Sequence, residues 1–138
     1  KMAAYTLSDD VARDRMEEIL SLYPILKERL GQKAKTLSGG ERQILALGMT
    51  LMRNPEIIML DEPTGGLAPR IAREILQKIV DLRDSLKKTI ILVEQNARSA
   101  LEMGDNAILM VGGKLAFFGK AGDLLSDREL GKLYLGLR

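Results

Sequence analysis

The chain has 138 residues, a formal net charge of +2 and an apolar fraction of 46%, which bounds it at one domain, or a piece of one, with enough apolar material for a core. Acids and bases interleave along it, which argues against a nucleic-acid or anionic-membrane surface. Cysteine and histidine are both absent, which removes disulfides, thiolate metal sites and every Ser-His-Asp, Cys-His or His-metal scheme.

No signal-peptide pattern is visible from Lys1, and no apolar run is long enough to span a bilayer. The expectation is a cytoplasmic location in which any membrane link passes through a partner.

Ser8, Asp9 and Asp10 open an amphipathic helix whose apolar stripe is Ala12, Met16, Ile19, Leu20 and Tyr23, and Pro24 ends it. A short apolar segment follows from Ile25 to Leu30. Gly31 to Thr36 is a polar, lysine-containing loop. Leu37-Ser38-Gly39-Gly40-Glu41 then feeds a helix with Ile44, Leu47, Gly48 and Leu51 on its buried face, stopped by Asn54-Pro55. Glu56 to Leu60 is a continuous apolar run that reads as a strand buried on both faces, ending in Asp61-Glu62-Pro63.

Pro69 suits a first helical turn, and Ile71, Ile75, Ile79, Leu82 and Leu86 mark a long amphipathic helix. Thr89 to Val93 is a second buried strand, Asn96 to Met103 a short helix and Ala107 to Val111 a third strand. Gly112-Gly113 turns the chain into Lys114 to Phe118 as a hairpin. From Ala121 onward one or two short helices are expected. Strand, helix, strand, helix, strand is a doubly wound α/β pattern with a parallel sheet.

Two segments can carry chemistry. An apolar strand ending in Asp61-Glu62 places carboxylates at the strand's C-terminal edge, where open α/β sheets bind ligands. One can hold Mg²⁺ through its water shell, and the other can orient or deprotonate an attacking water. Read alone, the same residues describe a strand followed by a solvated acidic loop. In Ser38-Gly39-Gly40 the glycines permit close backbone approach, and Ser38 can cap a helix whose N-terminus offers unpaired N–H groups to a phosphate. Read alone, it is a loop with an N-cap.

In order, the signature-like LSGGE, a strand ending in DEP, a glycine-rich turn and a strand ending in Val93-Glu94-Gln95-Asn96 resemble the ATP-binding cassette (ABC) ATPases. Leu37 to Glu41 matches their signature motif, Ile57 to Asp61 their Walker B strand and Glu62 their catalytic glutamate. The resemblance covers the chain from Ser8 to the hairpin at Gly113. Glu62 to Pro69, Leu92 to Asn96 and the ending Leu133-Tyr134-Leu135-Gly136 are similar to the ATP-binding subunits of branched-chain amino-acid importers. Subunits for urea or short amides resemble these closely and stay open as an alternative.

This resemblance implies a fold that is the C-terminal part of an ABC nucleotide-binding domain. Residues 1–54 would belong to the helical subdomain with the signature, and 55–138 to the RecA-like core. It implies ATP and Mg²⁺ as cofactors. Ser38, Gly39, Gly40 and Glu41 would bind nucleotide, Asp61 would hold the metal, and Glu62 and Gln95 would be catalytic. The implied partners are a second nucleotide-binding subunit, which would sandwich ATP head to tail, and transmembrane permease subunits on the inner face of the cell membrane. Nucleic acid is not among them.

The sequence departs from the family pattern in three places: Glu41 replaces the usual final glutamine, Gln95 the switch histidine and Ala68 the aspartate of the following loop. Gln95 can donate a hydrogen bond to a phosphate oxygen but cannot shuttle a proton. Gln95 and Ala68 suit the branched-chain subgroup.

No G-x-x-x-x-G-K followed by Ser or Thr occurs in the chain, and the lysines after Gly113 and Gly119 lack the rest of that pattern. In the family the phosphate loop precedes the signature, so the expectation is a truncated product that cannot hold ATP in cis. For the isolated chain, a non-catalytic oligomerising role is the alternative. A chromosome-maintenance or DNA-repair ATPase shares the two motifs but carries long heptads before the signature. Ser8 to Tyr23 is one short helix without them.

Overall fold

The structure is a computed structural model that describes residues 2–134. It divides into two compact units, Lys1–Ile91 and Leu92–Arg138.

The first unit opens with a 3-10 turn at Met2–Ala4 and helix α1 at Asp9–Leu22. Asp9 and Asp10 lie in the first turn of α1, where the helix dipole favours negative charge. The helix stops where Tyr23 leaves helical geometry. Pro24 does more than end it: it occupies the first turn of a second helix, α2, at Pro24–Glu28, because a residue with no N–H loses nothing there. A 3-10 turn at Ala34–Thr36 occupies half of the expected loop.

Helix α3 runs Gly39–Leu51 and buries Leu47, Gly48 and Leu51, with Ile44 half-buried. Gly48 lets α3 approach the end of α1: a Cβ there would lie 3.0 Å from Ile19 Cγ2 and 3.1 Å from Leu26 Cδ1. That approach covers the C-terminal half of α1. Met16, expected on the buried stripe, is 46% exposed, whereas Tyr23 is 2% exposed. Burial, with a contribution from Asp81, pushes the Tyr23 hydroxyl pKa up to about 12, and the Lys78 ammonium sits 5.3 Å from its ring centroid.

Asn54 takes a left-handed φ of 48° after α3, a conformation asparagine tolerates. Strand β1 is Ile57–Asp61, helix α4 Pro69–Leu86 and strand β2 Thr89–Val93. β1 and β2 are neighbours in a two-stranded sheet. The Thr89 N–H donates to Glu56 O at 2.9 Å, joining the two strand starts, so the strands run parallel with α4 as their crossover.

The expectation that β1 is buried on both faces is corrected. Ile58 is 1% exposed, but Ile57 is 57% and Met59 74% exposed. Ile91 and Val93 of β2 are likewise exposed. Side chains alternate across a strand, and both faces are buried only when layers flank both sides; among the described residues one face of this pair stays open. Helix α4 begins with Pro69 in its first turn and buries Ile75, Leu76, Ile79 and Leu82. Leu86, the last residue of its predicted stripe, is exposed where the helix ends at left-handed Lys87.

In the second unit, α5 is Ala97–Met103, and Asn96 caps it by accepting the Ser99 N–H at 3.1 Å. Strands β3 (Asn106–Val111) and β4 (Lys114–Lys120) pair antiparallel, with an irregularity between Leu109 and Met110. The predicted third strand therefore belongs to a hairpin sheet of its own: its backbone groups pair with the strand delivered by a tight turn. Gly112 and Gly113 have φ of 56° and 75°, the double left-handed geometry of a type I′ turn. Helices α6 (Ala121–Ser126) and α7 (Arg128–Tyr134) complete the unit, around Leu101, Ala121 and Leu124. Leu135 and Gly136 lie outside the described residues.

Candidate functional site

Ser38 precedes α3 in extended geometry, and its hydroxyl accepts the Glu41 N–H at 3.3 Å. The Glu41 carboxylate returns the bond, accepting the Ser38 N–H at 2.8 Å. This reciprocal capping box satisfies two backbone donors and leaves the Gly39 and Gly40 N–H groups without an intrahelical partner. Arg29, 12 residues earlier, donates from Nε to Glu41 Oε1 at 3.3 Å. The Ser38 backbone N–H, then its hydroxyl, then the Arg29 guanidinium, hold the Glu41 carboxyl below its ordinary pKa. Arg42 reaches back to the Leu37 carbonyl. The start of α3 is thus fixed from three directions before any ligand arrives.

Gly39 and Gly40 open α3 against the segment that follows β1. A Cβ on Gly39 would sit 2.9 Å from Leu67 Cδ2, and one on Gly40 2.6 Å from Ile71 Cγ2. Close approach is therefore required by the protein's own packing at both positions.

Asp61 ends β1 and Glu62 follows it, and both are exposed. Glu62 has a left-handed φ of 44°, uncommon for a residue with a long side chain. Its carbonyl accepts the Gly65 N–H at 3.0 Å, and a Cβ at Gly65 would lie 3.2 Å from that same oxygen. Pro63 is buried. The chain thus turns sharply at the strand end with Pro63 inward and both carboxylates outward. Among the described residues no group of three or more acids gathers around a possible ion, so a cation beside Asp61 would complete its shell from water or ligand oxygens.

The packing at Leu67 and Ile71 brings Ser38, Gly39 and Gly40 beside the turn that carries Glu62. Gln95 lies in the second unit, exposed between β2 and α5, with its carbonyl accepting the Ala97 N–H at 2.9 Å. The sequence assigns no supporting role to Arg29 or Leu67, and it places Ile71 only on the apolar stripe of α4. Arg29 carries no local signal, since it pairs with an acid across a loop. Leu67 is an apolar side chain inside a glycine-rich turn, which is a signal for an inward anchor.

The family description "ABC transporter" matches residues 2–65. The chain is 47% identical over 137 residues to a probable branched-chain amino acid transport ATP-binding protein, LivF, of Archaeoglobus fulgidus, covering 99% of this chain and 58% of that protein. It is 40% identical over 135 residues to the high-affinity branched-chain amino acid transport ATP-binding protein BraG of Pseudomonas aeruginosa, covering 98% and 58%. A crystal structure of the ADP conformation of an ATP-binding cassette superposes with a TM-score of 0.78 at 28% identity, covering 91% of this chain and 50% of that one. The chain thus spans little more than half the length of the relatives it matches.

Proposed function

The chain belongs to the ATP-binding domains of ABC transporters, and from this we propose that it forms part of the ATP-hydrolysing motor subunit of an importer for branched-chain amino acids. The likeness to two proteins named for that transport, at 47% and 40% identity, supports the solute class. One observation carries the catalytic reading: the capped start of α3 stands on Leu67 and Ile71, beside the turn that exposes Asp61 and Glu62.

The roles follow from chemistry. The Gly39 and Gly40 N–H groups at the positive end of a thirteen-residue helix receive the terminal phosphate of a nucleotide held by the second subunit. Ser38 and Glu41 hold that end rigid through the capping box. Asp61 would hold Mg²⁺, and the ion would supply charge neutralisation to the phosphate. Glu62 orients the attacking water and takes its proton. Gln95 donates its side-chain amide to a phosphate oxygen, with no proton shuttled.

In this proposal residues 1–54 act as helical subdomain and 55–138 as core. A second nucleotide-binding subunit completes the sandwich, and permease subunits tie it to the inner face of the cell membrane. No helix of the described residues is long and apolar enough to cross a membrane.

The test is Glu62→Gln in a complete ATPase carrying these residues. Nucleotide binding should persist while hydrolysis falls about 10²–10⁴-fold, the range for loss of a positioned general base, and an ATP-bound dimer should accumulate. Near-normal turnover would remove Glu62 from the role.

A further inference from the structure

The two glycines that open α3 rest on two apolar side chains of unequal stiffness. Gly40 faces Ile71 Cγ2, 2.6 Å from where a Cβ would be, and Gly39 faces Leu67 Cδ2, 2.9 Å from where a Cβ would be. Ile71 is β-branched and sits in α4, where its χ1 is fixed. Leu67 sits before that helix, in the turn whose Gly65 N–H donates to Glu62 O at 3.0 Å and whose Leu67 N–H donates to Thr64 O at 3.1 Å. A continuous physical path therefore runs from Glu62 through the turn to Leu67, and from the Leu67 side chain to Gly39 and Ser38.

We infer that Leu67 is a positioning residue that ties the turn carrying Glu62 to the N-terminus of α3, so that the two segments are displaced together. Ile71 is the fixed post and Leu67 the moving contact. Glu62 adopts a left-handed backbone, which persists only where its surroundings enforce it, and the Leu67 anchor is one such enforcement. The functional weight of this link rests on the reading above, which makes Glu62 and Ser38-Gly39-Gly40 the working groups. The packing itself does not.

Two measurements on Leu67→Ala and Leu67→Met test it. In the 138-residue chain, amide hydrogen exchange is followed at Gly65 and Leu67 in the turn and at Glu41 and Arg42 in the first turn of α3. Leu67→Ala should accelerate both segments together, by about tenfold for local opening. Leu67→Met, which refills the space, should restore both. Acceleration confined to the turn would overturn the link. Should Leu67→Ala fail to fold, Leu67→Val gives the same joint pattern at smaller amplitude or the link is wrong.

In a complete ATPase carrying these residues, Leu67→Ala should lower kcat about tenfold with KM for ATP held within about twofold, the pattern of lost transition-state positioning, and Leu67→Met should recover it. Joint exchange with an unchanged kcat, or a change in KM alone, would overturn the positioning role. A Glu62→Gln protein that hydrolyses ATP normally would instead defeat the functional reading and leave the exchange result standing.

Discussion

Two Gly-Gly pairs in this chain are glycine for different reasons. Gly112 and Gly113 have φ of 56° and 75°, and a Cβ on either would meet nothing within 4 Å. They serve the backbone: the turn needs a conformation that L side chains resist. Gly39 and Gly40 are helical residues without positive φ, and a Cβ on either would collide with Leu67 or Ile71. They serve packing and leave the first turn of α3 bare. A glycine pair bears on a site when the missing side chain, not the unusual torsion, is what the fold uses. It also shows why the lysine after Gly113 is a hairpin residue and not part of a phosphate loop.

Substitutions can break this contrast. The largest effect is expected from Gly39→Asp in a complete ATPase. It adds bulk against Leu67 and a negative charge where a phosphate is proposed to dock, a repulsion on the order of a few kcal/mol at short range. Since about 1.4 kcal/mol is tenfold in rate, hydrolysis should fall by several decades. Nucleotide binding should be largely retained.

Gly40→Ala should destabilise the folded chain by about 1–3 kcal/mol through overpacking, read from its denaturant midpoint. Ile71→Leu, which removes the Cγ2 branch that the new methyl would meet, should recover part of that loss. Gly113→Ala should cost about 1–2 kcal/mol for its left-handed backbone and leave hydrolysis unchanged.

The smallest effect is electrostatic. Glu41 has its carboxyl pKa lowered by Ser38 and Arg29, so the folded state binds its proton less readily than the unfolded one. Its contribution to stability is fully present above the ordinary carboxyl value of about 4.3 and is lost as pH falls through the lowered folded value. Glu41→Gln should therefore flatten the acid side of the stability profile. An unaltered slope would show that the capping box does not depend on the charge.

Much of the site's local chemistry was legible in the residues. Ser38 followed by Glu41 is a capping-box spacing, and the box forms. Asn54-Pro55, Pro69 and Gly112-Gly113 punctuate the chain where turn chemistry requires. The errors of burial have one cause: burial depends on what packs alongside, which a local pattern does not contain. Ile57 and Met59 look like core residues because they sit in an apolar run, yet they face outward. Met16 fits the period of its helix but lies beyond the approach of α3. Pro24 reads as a stop and also acts as a start, since a first turn tolerates proline. The contacts of Gly39 with Leu67 and of Gly40 with Ile71 cross from one element to another, so no spacing within either segment encodes them.

Ser38-Gly39-Gly40 is proposed to act on a phosphate held by a neighbouring subunit. Mixing Gly39→Asp protein with Glu62→Gln protein of intact signature, in complete ATPases, and measuring ATP-dependent dimerisation tests this most directly. Dimerisation should be weak for Gly39→Asp alone and partly recovered in the mixture, where one intact signature is available. Dimerisation and hydrolysis by Gly39→Asp at the level of the unmodified protein would contradict it, leaving Ser38-Gly39-Gly40 as an ordinary capped loop.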